Sequence, residues 1–307
     1  MHYTSYFTYM IIYCFERPQH RIEKFFNKKI KFRYNKKNSK IPKNIKHIYI
    51  KLKYFIGDKI LNKIPTLTHI LTPTTGINHI DLNSIKKRGI KIIKLDTKNQ
   101  VIKNINSTSE FVLTLILSSI RKIFKYKDNF KNNIRDRYSE NVLQFKNYTI
   151  GIIGLGRIGT YLYKSLKYLG FEVLTYDKKK DKYSKLNILL KKSDVITLNI
   201  SASKNYNFFD KQKFNRLKKN VIFINTSRGE LVNEDDLLKF LKKNKTAFAI
   251  LDVIKNEQQN LINSEIFKYN KMNKNLVLLP HIGGATIDAM EIADKYVFKK
   301  LLKKYEK

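Results

Sequence analysis

The sequence predicts an α/β protein with a doubly wound parallel sheet and a second, smaller α/β domain. Three observations predict it. Beyond residue 148, short apolar runs alternate with helical patterns, and the runs at 194–200, 220–225, 247–252 and 275–279 are apolar on both faces. Such runs between helices indicate parallel strands covered on both sides. A glycine-rich turn joins the first run, 149–153, to a helix. Residues 1–107 repeat the alternation separately, with candidate strands at 9–15, 48–52, 68–71 and 91–95.

The glycine turn is the most informative element. Thr149-Ile150-Gly151-Ile152-Ile153 leads into Gly154-x-Gly156-x-x-Gly159, and Ile158, Leu162, Leu166 and Leu169 continue at helical spacing. A second run, 171–176, ends in Asp177. Gly154 permits the tight turn. Gly156 lets backbone approach a pyrophosphate seated on the helix N-terminal amides. Gly159 lets helix and strand pack closely. Asp177 stands about 20 residues beyond the turn, where a ribose-binding acid belongs. An acid there accepts hydrogen bonds from ribose hydroxyls and repels a 2′-phosphate, so the expected cofactor is NAD. The expected cofactor domain is a Rossmann domain.

The other elements follow in order. PTTGINHID, at 73–81, is a loop that opens a helix, and His79 within it reads as a structural or helix-start residue. Residues 107–125 read as one long helix, capped by Thr108 or Ser109. The lysine-rich stretch 178–185 reads as a solvated loop. A last helix, 286–304, closes the chain.

Composition bounds the function. The 307 residues suffice for two domains, and a 42% hydrophobic content suits a globular protein. The single cysteine, Cys14, excludes a disulfide framework and a thiolate metal site. No N-terminal signal pattern is read and the longest helical apolar stretch, 111–120, is too short for a bilayer. A cytoplasmic protein with no membrane partner is therefore expected. The formal charge of +37 is extreme. It has two readings: a polyanion binder, or compositional drift toward lysine. The lysines are spread along the chain and arginine, the base-reading residue, is scarce, which favours drift and no specific nucleic-acid partner.

Three successive strand ends deliver polar groups: Asn225-Thr226-Ser227-Arg228-Gly229, then Asp252 with Glu257, then His281-Ile282-Gly283-Gly284. Arg228 can fork onto a substrate carboxylate and polarise the adjacent carbonyl. His281 can exchange a proton with the carbonyl oxygen or hydroxyl. Glu257 can orient His281 and favour its protonated form. Lys53 and Tyr54, past the strand at 48–52, remain open as substrate-facing or merely surface residues.

With these residues in view, the chain resembles the D-isomer-specific 2-hydroxyacid dehydrogenase family over essentially its whole length. The resemblance is carried by GIIGLGRIG, SDVITL, INTSRGELVNEDDLLKFL, LDV with Glu257, and PHIGGAT. It implies NAD-dependent interconversion of a small D-2-hydroxy acid and its 2-oxo acid, with Arg228, Glu257 and His281 catalytic. It implies cofactor contacts from Thr108, Gly154, Gly156, Arg157, Ile158, Gly159, Asp177, Thr226, Ser227, Asp252 and Gly284. Asp252 would hold the nicotinamide carboxamide. Substrate carboxylate would meet the amides of Gly76, Ile77 and Asn78, together with Arg228. The implied organisation is a flavodoxin-like substrate domain of residues 1–107 and 286–307 and an NAD-binding domain of residues 108–285, assembled as a homodimer near Phe111. No metal is implied. Departures are Asn199 and Ser201 where the family often has histidine and proline, Gln258 for a proline, Phe111 for a common histidine, and a short 177–194 segment. The substrate stays open. The alternative function is an NAD-sensing, corepressor-like binding protein, for which salt-resistant, sequence-selective DNA binding would speak.

Overall fold

The structure, a computed structural model, describes residues 9–36, 40–96, 99–131, 142–179, 181–202, 205–258 and 261–306. The chain divides into two compact units, one formed by residues up to Ile105 with those from Thr286 onward, the other by Asn106–Ala285.

The first unit contains five parallel strands, β1 (Met10–Cys14), β2 (Ile30–Tyr34), β3 (His47–Tyr49), β4 (His69–Thr72) and β5 (Lys91–Lys94). Their order is β2-β1-β3-β4-β5, the flavodoxin-like order. β2 is absent from the sequence reading. Its sequence, IKFRY, alternates buried and open positions because it is an edge strand, so it never forms an apolar run. The helix Ile287–Leu302, capped by Thr286, packs Val297, Phe298 and Leu301 against Ile12, Tyr49 and Leu71.

That helix also carries Asp294, which is fully buried. Tyr49 donates its hydroxyl to Asp294 Oδ1 at 2.5 Å, and the Gln19 N–H donates to Oδ2 at 2.8 Å. Burial raises the carboxyl's proton affinity above the ordinary range, and these two hydrogen bonds only partly oppose it. The folded chain therefore holds this proton more tightly than the unfolded chain. Its contribution to stability is full below the ordinary carboxylate value and is lost as pH rises through the raised one. Thermal melts between about pH 4 and about pH 7 should show a smaller fall in Tm with rising pH for Asp294→Asn than for the parent protein. Parallel profiles would show that Asp294 does not titrate this way.

The second unit has six parallel strands: β6 (Thr149–Ile153), β7 (Glu172–Tyr176), β8 (Val195–Leu198), β9 (Ile222–Asn225), β10 (Phe248–Leu251) and β11 (Leu276–Leu278). Their order, β11-β10-β9-β8-β6-β7, reverses at β6. Ligands of such sheets bind beyond the carboxyl ends at the reversal. Successive residues feed opposite faces. Ile152, Ile224 and Ile250 join Val112, Ile116, Leu162 and Leu166 in one core. Ile153, Phe223 and Leu251 join Leu186, Leu237 and Leu241 in the other. The two-sided burial read from the sequence is thus the register of a Rossmann sheet.

The expected single helix at 107–125 is two helices, Ser107–Ile120 and Ile123–Lys131. The Lys122 N–H turns back to the Ser119 carbonyl at 3.0 Å and Lys122 adopts φ 56°, which breaks the helix. Thr108 and Ser109 do not cap it. Both lie inside its first turn, the cap position is Asn106, and no side chain bonds there. Among the described residues no helix is long and apolar enough to cross a membrane.

Candidate active site

The glycine turn is built from the end of β6. Gly154 takes φ +98°, a conformation costly for any side chain, and its N–H donates to the Tyr176 carbonyl at 2.7 Å. A Cβ on Gly159 would stand 1.9 Å from the Gly154 carbonyl oxygen, so the helix Arg157–Tyr168 reaches the strand only because that atom is missing. Gly156 differs. It is the cap of that helix, no side chain closes the cap, and nothing lies within 4 Å of where its Cβ would be. Open space over the first amides of a helix, beginning at Arg157 and Ile158, fits the pyrophosphate of a dinucleotide. Asp177, just past β7, accepts the Leu155 N–H at Oδ2 and the Lys179 N–H at Oδ1, both at 3.0 Å. It braces the turn, and each oxygen retains a lone pair for a ribose hydroxyl.

At the end of β9 the side chain of Asn225, fully buried, folds the next loop back on itself. Its Oδ1 accepts the Ser227 N–H at 3.0 Å and its Nδ2 donates to the Arg228 carbonyl at 2.9 Å. Ser227 Oγ ties the loop to β8 through the Leu198 carbonyl at 2.7 Å, and Thr226 is buried between them in sequence. Arg228 Nη1 donates to the Ser227 carbonyl at 2.6 Å. Burial weakens the guanidinium's hold on its proton, while Glu257 and Glu230 oppose the effect. Sequence reasoning missed Asn225 as an organiser. Its signal was present: a polar residue ending an otherwise apolar strand needs partners.

The third loop holds His281. Its φ is 56°, the left-handed region that few non-glycine residues enter and that recurs at functional sites. Asp252, at the end of β10 and 1% exposed, accepts the next two backbone N–H groups, from Ile282 and Gly283, each at 2.8 Å. Those bonds hold the turn that strains His281. Burial raises the proton affinity of Asp252 and the two amides counter it. The structure thus places Asp252 as a clamp on the His281 turn. Thr108 lies beside the same turn: its Oγ1 is 3.6 Å from a Cβ placed on Gly284.

His281 Nδ1 meets Glu257 Oε1 at 2.6 Å. A carboxylate only accepts, so Nδ1 carries the proton and Nε2 is left to exchange one with a ligand. Gln258 Nε2 donates to the same Glu257 oxygen at 3.2 Å, a contact a proline there would not make. The second unit therefore brings together Arg228, Glu257 and His281, a cation beside an imidazole hydrogen-bonded to a carboxylate. Asn199, one of the departures from the family pattern, has its Oδ1 buried after β8 without a hydrogen-bond partner.

In the first unit, loop 74–78 follows β4. Thr74 Oγ1 donates to the Gly76 carbonyl at 2.7 Å, and the Ile77 carbonyl accepts the Ile80 N–H at 3.0 Å. With these carbonyls turned into the loop, Gly76, Ile77 and Asn78 form a compact bend. His79 is buried with Nε2 3.3 Å from Thr72 Oγ1 and serves as the loop's anchor. After β3, Glu16 Oε2 accepts the Lys51 N–H at 2.7 Å, Lys53 is exposed over the Tyr54 ring, and Tyr54 packs edge-on against Phe15.

Comparison with known proteins gives the family. Residues 113–283 match the D-isomer specific 2-hydroxyacid dehydrogenase, NAD binding domain. The chain belongs to that family. It is an NAD-dependent D-2-hydroxyacid dehydrogenase, and its cofactor is NAD. It is 32% identical over 265 residues to a glyoxylate reductase of Thermococcus litoralis, covering 80% of this chain and 76% of that one. It is 31% identical over 248 residues to an aromatic 2-oxoacid reductase of Clostridium sporogenes, covering 73% and 71%. The fold matches a D-lactate dehydrogenase of Aquifex aeolicus, solved with NAD and lactic acid, at a TM-score of 0.76 and 24% identity over 96% of this chain and 95% of that one.

Proposed function

We propose that this dehydrogenase reduces a small 2-oxo acid to the D-2-hydroxy acid, with His281 as the proton donor and, in the reverse direction, the acceptor. The observation that carries the reading is the 2.6 Å contact of His281 Nδ1 with Glu257, which leaves Nε2 as the exchanging atom. NADH, when bound, supplies the hydride. The amides at the start of the helix Arg157–Tyr168 hold its pyrophosphate, and Asp177 takes a ribose hydroxyl and disfavours a 2′-phosphate. Thr108, Thr226, Ser227, Asp252 and Gly284 are assigned to its nicotinamide side. Arg228 grips the substrate carboxylate and polarises the neighbouring carbonyl. The amides of Gly76, Ile77 and Asn78 are assigned to the same carboxylate by family resemblance. A homodimer is expected on the same ground.

NADH oxidation with glyoxylate, hydroxypyruvate, an aromatic 2-oxo acid and a phosphorylated 2-oxo acid tests the reading. Turnover of at least one is expected; bound NADH without turnover of any would overturn it. In Arg228→Ala, loss of a charged hydrogen bond worth about 1.5–3 kcal/mol should lower kcat/KM by about 10- to 100-fold. Rising KM should account for part of that loss and falling kcat for the rest.

A further inference from the structure

Glu234 opens the helix Glu234–Lys243 directly after its cap, Asn233. An acid in a first helical turn is favoured by the helix dipole, and Asp235 and Asp236 share that advantage. Asp236 Oδ2 also accepts the Lys211 N–H, at 2.9 Å, whereas Glu234 reaches the loop that leads to Glu257. Glu234 Oε1 accepts the N–H of Lys255, 21 residues away, at 2.6 Å. Lys255 stands in the loop after β10, two positions before Glu257.

The same peptide is gripped from its other side. A Cβ on Gly229 would stand 2.0 Å from the Ile254 carbonyl carbon, 2.2 Å from its oxygen and 2.3 Å from Lys255 N. Gly229 follows Arg228. The Ile254–Lys255 peptide is therefore held between the loop that carries Arg228 and the carboxylate of Glu234. The Lys255 side chain rests over the Tyr206 ring at 4.7 Å, which steadies the residue without fixing its amide. This arrangement is costly for Glu234. Burial raises its proton affinity, Asp235 and Glu230 raise it further, and the Lys255 amide and charge only partly offset them.

We propose that Glu234 is a positioning residue: by pinning the Ile254–Lys255 peptide against Gly229, it sets the spacing between Arg228 and the Glu257–His281 pair. The proposal rests on the reading of His281 as acid/base. Arg228 lies near Glu257, and Asp252 lies near both members of the pair.

Three variants of the full chain test it. Glu234→Gln keeps an acceptor of the same reach. Glu234→Asp keeps the charge and the dipole contribution and is one methylene too short. Asp235→Ala, at an exposed position, removes only a dipole contribution. One readout is the downfield proton resonance of His281 Nδ1 bonded to Glu257, in free protein, assigned by its loss in His281→Ala. The other is kcat and KM with the most active 2-oxo acid. Glu234→Asp should broaden or lose the resonance and lower kcat by about 10- to 100-fold with KM for NADH unchanged. Glu234→Gln and Asp235→Ala should keep both. A Glu234→Asp protein with the parent's resonance and kcat, or equal losses in Asp235→Ala, would overturn the proposal. The resonance arm needs no turnover, so it decides positioning even if the acid/base reading fails. Full kcat in His281→Ala would sink that reading alone.

Discussion

His281→Ala should lower kcat for 2-oxo acid reduction by about 10²- to 10⁴-fold, the contribution of a well-placed general acid. The loss should fall on kcat, with NADH affinity little changed, because the imidazole works on the substrate oxygen and the pyrophosphate is held elsewhere. The backbone separates two causes. His281 adopts φ 56°, and alanine at that position keeps a left-handed strain of about 1 kcal/mol. His281→Gly removes the strain and should be no more active than His281→Ala. Glu257→Gln should cost less than either, since a glutamine oxygen still accepts from Nδ1 while its charge is gone. Steady-state rates for the three variants check the series. A kcat for His281→Ala within about 10-fold of the parent would assign the proton transfer to another group.

Gly159→Ala and Gly156→Ala should fail in different ways. The first forces a methyl carbon to within 1.9 Å of the Gly154 carbonyl oxygen, and neither partner is a side chain that can swing aside. Strand and helix must separate. Stability should fall by about 3 kcal/mol and NADH binding should weaken by about 100-fold or more. The second adds a methyl to a position with no neighbour within 4 Å. The fold should keep its melting temperature, and NADH binding should still weaken, because the methyl occupies the approach to the first helical amides. Thermal melts and NADH fluorescence titrations distinguish the two. Parent-like NADH affinity in Gly156→Ala would place the pyrophosphate away from this turn.

Much of the second unit was legible in the sequence because its strands are buried on both faces. Runs such as VITL and IFIN signal their state whatever lies around them, and the glycine turn is a local constraint. β2 was hidden because an edge strand carries a one-sided pattern. The break at Lys122 was hidden because Arg121 and Lys122 carry no helix-stop signal; a left-handed lysine follows from how the helix ends in context. In the site, Arg228, Glu257 and His281 could be named from three strand ends. Asn225 was missed although a polar residue ending an apolar strand signals it; Glu234 could not be named, since it acts on a backbone N–H that only the folded chain brings within reach.

The sequence by itself determined the α/β class, the family, the NAD cofactor and the residue types available for hydride-transfer chemistry. Each of these depends on short-range patterns: period, glycine spacing, and the order of motifs along the chain. The tertiary structure alone decided that Asp252 clamps the turn that strains His281, that Asp177 braces the glycine turn, and that Glu234 grips the peptide leading to Glu257. These are side chain to backbone contacts between distant segments. Every residue has an N–H, so no sequence pattern marks which one a carboxylate will find.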